Sequence, residues 1–243
     1  LQDCARSWDV FSRAMSGEYR VISLDSRGHG CSDFPVSSSL GSGYRFVDYV
    51  SDITTLIDNL GLEKPILVGH SAGGRYAFSY TSLNPQNVRA LVVVDIDPDS
   101  VNQSSSGMFD RYMNESDEWP SLDGVVERIR SRQYASSETM LNHQAEVMTK
   151  PVGNEGIRVW RRDRRVIEDY ERPDLWKEWA SIAVPTVIIR GRQSDLLTHQ
   201  TAVQMREKLS GSLLAELEGG GHWFYQESPG AFESTVRWFL STL

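Results

Sequence analysis

Three side chains far apart in the chain have the types that nucleophilic catalysis at a carbonyl requires: Ser71, Asp195 and His222. A serine hydroxyl is a weak nucleophile until a base takes its proton. An imidazole does that best when a carboxylate fixes its tautomer and steadies the imidazolium that forms. Ser71 stands in Gly69-His70-Ser71-Ala72-Gly73, a G-x-S-x-G turn followed by Gly74. Ile66, Leu67 and Val68 before it read as a strand, and residues 72–83 after it read as a helix. Strand, sharp turn and helix put a serine at a strained apex, with small neighbours at Gly69 and Gly73 expected to let strand and helix approach. His222 follows three consecutive glycines, a run that costs chain entropy and delivers a side chain to the sheet edge. Asp195 ends the turn Arg190-Gly191-Arg192-Gln193-Ser194-Asp195, where capping the next helix is its competing use. Asp95 and Asp97, just past another strand end, are the competing acids. The reading is Ser71 as nucleophile, Asp195 as orienting acid and His222 as base, in that chain order.

The elements that must hold these groups alternate. Trp8, Phe11 and Met15 form a helical stripe ended by Gly17, residues 19–24 read as a short apolar strand, and 25–33 form a polar glycine-bearing turn. After a Ser/Gly-rich loop at 37–43, Val47, Val50, Ile53, Ile57 and Leu60 trace one helix face stopped by Gly61. The elbow strand and helix follow, and 90–94 is a continuous apolar run of the kind buried on both faces of a parallel sheet. The alternation resumes with a strand at 185–189, a helix carrying Ala202, Met205 and Leu209, a strand at 213–217, and a helix opened by Ser228 and Pro229 that buries Phe232, Val236 and Leu240. This predicts an α/β fold: a mostly parallel sheet with flanking helices, whose functional groups collect beyond the carboxyl ends of the strands. Between, at 98–176, strand signals vanish and apolar residues fall at helical spacing, which predicts an inserted helical lid. The α/β core is then 1–97 together with 177–243.

Other eye-catching residues have plainer readings. His29, between glycines, hydrogen-bonds its own loop; His70 packs beside the site; His143 and His199 belong to lid and surface. Arg158, Arg161, Arg162, Arg164 and Arg165 form a solvated face paired with Glu168, Asp169 and Glu171. Trp119, Trp160, Trp176 and Trp179 pack the lid.

The 243 residues suit one medium domain with an insertion, and a net charge of −8 argues against nucleic acid or an anionic membrane as partner. Cys4 and Cys31 form no C-x-x-C, and no His/Cys cluster has metal-ligand spacing, so neither a disulfide scaffold nor a metal site is expected. A reducing, cytoplasmic setting fits best. No apolar run approaches the roughly 20 residues of a membrane helix.

With Asp-x-Arg-Gly-His-Gly-x-Ser at 25–32, GHSAGG at 69–74, GRQSD at 191–195 and GGGHW at 219–223, the chain resembles the α/β-hydrolase fold family, specifically its lid-bearing esterases, lactonases and carbon-carbon hydrolases. The resemblance implies hydrolysis of an ester-like bond in a small-molecule substrate, with no cofactor. A carbon-carbon hydrolase or lyase with the same triad, or a slow-turnover ligand receptor, are the alternatives. Serine at the apex disfavours the epoxide hydrolase and dehalogenase branches, which use a carboxylate nucleophile. It also implies an oxyanion hole built from the backbone N–H groups of Ala72 and of the residue after a family His-Gly pair, here Leu1. Family members carry a strand and His-Gly before the helix holding Trp8 and Phe11, so the first strands, one of them central, are expected to be missing.

Overall fold

The computed structural model describes residues 2–36, 42–153 and 155–243. The expected loop at 37–43 falls largely outside them, as does Leu1. Among the described residues, seven strands run in chain order: β1 (Ile66–His70), β2 (Ala90–Val94), β3 (Glu118–Trp119), β4 (Thr149–Val152), β5 (Ile157–Trp160), β6 (Thr186–Gly191) and β7 (Leu213–Leu217). β1, β2, β6 and β7 lie side by side in that order, every pairing parallel.

The run Ala-Leu-Val-Val-Val of β2 shows why a central parallel strand lacks polar alternation. All five residues are buried, Leu91 and Val93 on one face of the sheet and Ala90, Val92 and Val94 on the other. Each such Leu or Val adds about 1.5–3 kcal/mol by leaving water. The first face is covered by helices Phe46–Asn59, Ala72–Leu83 and His199–Lys208, through Tyr49, Ile57, Tyr76, Ala202 and Met205. The second is covered by Asp9–Met15 and Pro229–Leu240, through Met15, Phe232, Val236 and Phe239.

Residues 19–24 depart from expectation. They form no strand, and Ile22 and Leu24 are exposed. Among the described residues β1 pairs only with β2. Its other edge and residues 19–24 line a common groove of about 710 Å³. An extended segment becomes a strand only when a neighbour completes its ladder, and none does here.

Between β2 and β6 the chain leaves the sheet and returns to the adjacent position, so a long excursion closes over a short gap. Helices Gln103–Asn114, Leu122–Arg130 and Glu138–Met148 start at Asn102, Ser121 and Ser137, whose side chains accept hydrogen bonds from Ser105, Gly124 and Met140 backbone N–H groups. The excursion is not purely helical: β3, β5 and β4 make a small antiparallel sheet. It has its own apolar cluster, including Val125, Ile129, Leu141, Ala145 and Trp160.

The tryptophans divide between the two cores. Trp119 and Trp160 meet edge-to-face in the excursion, whereas Trp179 packs edge-to-face on Phe78 in the main core. The arginine face pairs within the chain, but with other acids than expected. Arg162 and Arg164 bind Asp117, Arg158 binds Glu146, and Arg165 binds Asp163. Of the acids expected, only Glu168 pairs, with Arg164; the Glu171 carboxylate accepts the Phe46 backbone N–H, and the Arg162 side chain is fully buried rather than solvated.

Candidate active site

The turn after β1 places Ser71 at φ 54° and ψ −130°, in the left-handed region that a non-glycine residue occupies only under constraint. The constraint is close backbone packing. A Cβ on Gly69 would stand 2.5 Å from the Gly73 carbonyl oxygen, and one on Gly74 would stand 2.7 Å from Ile96 Cγ2 and 2.9 Å from the Gly69 oxygen. Gly69 and Gly74 therefore permit the approach. A Cβ on Gly73 would meet nothing within 4 Å, so Gly73 contributes its carbonyl rather than its missing side chain.

His222 is buried after the glycine run, where Gly219 takes φ +87° and a Cβ on Gly220 would strike Glu227 and Phe224. Its Nδ1 lies 2.8 Å from Asp95 Oδ2. Since that carboxylate oxygen is an acceptor, Nδ1 carries the proton and Nε2 is left with a free lone pair. Burial pushes the imidazole down to about 4, so it is neutral and ready to accept a proton at pH 7. Asp95 is wholly buried at the end of β2 with φ 51°; burial pushes its carboxyl up, and the Ser194 hydroxyl and Arg190 oppose that.

The acid that meets His222 is thus Asp95 and not Asp195. The Ser194 backbone N–H bonds the Gly191 carbonyl, and this turn aims the Ser194 hydroxyl inward, 2.5 Å from Asp95 Oδ2, while Asp195 faces out and is exposed. Both β2 and β6 end at the same sheet edge, and only the turn geometry decides which acid points in. Ser194 carried no signal beyond its place in GRQSD. Asp97 holds Arg172 at 2.6 Å. Arg75, fully buried, ties the Asp97 and Asp99 carbonyls to that of Pro173, fastening the strand end to the chain returning from the excursion.

Ser71 and His222 line one cleft, with no hydrogen bond joining them among the described residues. Nucleophile–base contacts commonly tighten only when substrate arrives. Ala72, the first residue of the elbow helix, is buried, and its N–H has no partner among the described residues. The roof of the cleft comes from the excursion, including Met108, Phe109, Tyr112, Arg132 and Tyr170. Its free volume is about 30 Å³, room for a water or two, so a substrate enters only as these side chains move.

His70 Nε2 lies 2.8 Å from the His222 carbonyl, which only accepts, so Nε2 donates. Its ring sits 4.5 Å from that of His222 and 4.8 Å from Tyr225, and burial pushes it down to about 3. His70 was expected only to pack beside the site, and as a neutral imidazole it also braces the loop of His222. His29 is buried with Nδ1 3.0 Å from the Arg27 carbonyl, in a turn that bonds the excursion through Gly30 N–H to Arg161 O. His143 reaches the Arg6 carbonyl and His199 pairs with Glu216. No group of three metal-ligating side chains occurs among the described residues.

Residues 3–229 match the model of the alpha/beta hydrolase fold family. The chain belongs to that family. It is 27% identical over 218 residues to 2-(acetamidomethylene)succinate hydrolase of Mesorhizobium japonicum, covering 88% of this chain and 76% of the relative. It is 24% identical over 238 residues to a putative esterase/lipase of Haemophilus influenzae, covering 96% of this chain and 77% of the relative. Among solved structures, that of E-2-(acetamidomethylene)succinate hydrolase superposes with a TM-score of 0.87 at 22% identity, covering 99% and 88% of the two chains. Such relatives are enzymes, and this chain is an α/β-hydrolase. None of its helices is long and apolar enough to cross a membrane, among the described residues.

Proposed function

We propose that this α/β-hydrolase cleaves an ester-like bond of a small molecule through an acyl-enzyme on Ser71. The observation that carries the reading is the 2.8 Å contact of His222 Nδ1 with buried Asp95, in the cleft that Ser71 also lines. In this reaction Ser71 Oγ attacks the acyl carbon and its proton passes to His222 Nε2. The oxyanion that forms faces the unpartnered Ala72 N–H, a position where one donor is worth roughly 100–1,000-fold in rate. Leu1, expected as the second donor, lies outside the described residues. The leaving alkoxide takes the proton back from His222. Water, deprotonated by the same imidazole, then releases the acid. Asp95 steadies the imidazolium in both halves, and the region over the cleft serves as the lid that shapes the pocket. The relatives, an esterase/lipase and a succinate-derivative hydrolase, favour hydrolysis.

Fluorophosphonate labelling followed by peptide mass spectrometry tests the nucleophile, and short p-nitrophenyl esters test turnover. The expected result is a label on Ser71 that is absent from Ser71→Ala, with ester hydrolysis lost in that variant. A folded protein left unlabelled at Ser71 overturns the assignment, and a label with no turnover replaces the enzyme by a slow-turnover receptor.

A further inference from the structure

Among the described residues, the cleft holds one cation without an ion-pair partner. Arg128, Arg132 and Arg172 all line it. Arg128 is ion-paired with Glu115 and also bonds Gln2; Arg172 is ion-paired with Asp97. Arg132 has no carboxylate within ion-pairing distance among the described residues, and its Nη1 is buried with no hydrogen-bond partner. A guanidinium nitrogen buried without an acceptor is costly unless something offsets it. Two features help. Its Cζ lies 4.6 Å over the Tyr112 ring, and the residue follows the carbonyl end of helix Leu122–Arg130, where a cation is favoured. Neither supplies the in-plane acceptors that the guanidinium fork is shaped for. Among the described residues, the acidic side chain lining the cleft is Asp3, already engaged by the Tyr225 hydroxyl and 3.8 Å from His70 Nδ1.

We propose that Arg132 is a carboxylate-binding subsite, so that the substrates of this enzyme are small ester-like molecules carrying a second, free carboxylate. An anion there completes the hydrogen bonds of Nη1 and neutralises the cation, a gain that a neutral ester cannot supply. The assignment rests on the Ser71–His222 reading for where the reacting bond lies. The binding itself does not depend on that reading.

Two measurements keep these apart. For binding, Ser71→Ala protein is titrated calorimetrically with methyl succinate, a monoanion, and with dimethyl succinate, its neutral counterpart. The monoanion binds at least tenfold more tightly, and Arg132→Met, introduced beside Ser71→Ala, removes the difference while Arg132→Lys retains part of it. For turnover, the kcat/KM ratio of mono-(4-nitrophenyl) succinate to 4-nitrophenyl butyrate falls about tenfold or more in Arg132→Met. Equal affinity for the two succinates in unaltered Arg132 protein, or a preference that survives Arg132→Met, overturns the subsite. Should Arg132→Met fail to fold, the preference in the unaltered cleft and its retention by Arg132→Lys still decide. If neither nitrophenyl ester is cleaved while the monoanion preference stands, the hydrolytic reading fails and the subsite remains.

Discussion

The carboxyl edge of the sheet and the excursion that roofs it hold their polar groups by different means. At the edge, position is set by backbone: Ser71 and Asp95 sit at positive φ, Gly69 and Gly74 let two main chains touch, and buried histidines are kept neutral. In the roof, position is set by charge pairs, Arg128 with Glu115 and Arg162 with Asp117, with Arg172 drawn down onto Asp97 of the sheet edge. There burial pushes Glu115 up, yet Arg128 outweighs it and holds the carboxyl below its ordinary range. Backbone placement suits groups that must meet within a few tenths of an ångström. Paired side chains suit a surface that has to part for a substrate and contact its variable portion.

The sharpest break of this comparison lies at the two strand ends that each offer an acid. Asp95→Asn leaves the geometry nearly intact but cannot fix the reactive tautomer of His222, so kcat is expected to fall roughly 10³–10⁴-fold. Asp195→Asn, at an exposed position facing away, should stay within about threefold. Steady-state kinetics on p-nitrophenyl esters checks both. A loss from Asp195→Asn as large as that from Asp95→Asn would mean that the β6 loop swings inward during turnover.

What could be read beforehand divides along the same line. The elbow, the two-face burial of β2 and the arrival of His222 are local patterns: a glycine-framed serine, an unbroken apolar run and three glycines before an imidazole. Choosing between Asp95 and Asp195 needed the direction of two turns, and no composition encodes that. The strand expected at 19–24 failed because a strand is a relation between segments, and nothing pairs with this one among the described residues. The hairpin β4–β5 was hidden for another reason. The buried positions of β5 are Arg158 and Trp160, so the period-2 pattern of Ile-Arg-Val-Trp does not alternate apolar with polar. That Arg132 lacks an ion-pair partner among the described residues was invisible too, since five other arginines drew attention by clustering and proved to be engaged within the chain.

A smaller effect sharpens the claim that backbone contact sets the edge. Gly69→Ala pushes a methyl to 2.5 Å from one main-chain atom and 2.7 Å from another, neither of which is a flexible side-chain end. Overpacking of this kind costs about 2–3 kcal/mol, or roughly 5–10 °C in Tm for a domain of this size. Gly73→Ala meets no atom within 4 Å at a helical position, and its stability should stay within about 1 kcal/mol of the parent. Thermal unfolding followed by circular dichroism checks the pair. Equal losses would return Gly73 to the role first expected of it.

The last comparison concerns charge state, where edge and roof both lose stability in acid, each over its own range of pH. His70 is neutral in the folded protein down to about 3, whereas an unfolded histidine takes up a proton near 6.5. Below that value the unfolded state binds the extra proton, so the contribution of His70 to stability is complete above about 6.5 and is lost as pH falls toward 3. Glu115, held low by Arg128, contributes above its ordinary carboxylate range and weakens only at lower pH. His222, Asp95 and Glu115 are common to the parent and to His70→Gln, so they cancel in the difference between the two. The destabilisation caused by His70→Gln, measured by urea unfolding at pH 7.5, should therefore shrink by about 1.4 kcal/mol per pH unit between roughly 6 and 4. A cost that does not change with pH would mean that His70 is charged where it lies, and the brace behind His222 would then be an ion pair with Asp3 rather than a neutral ring.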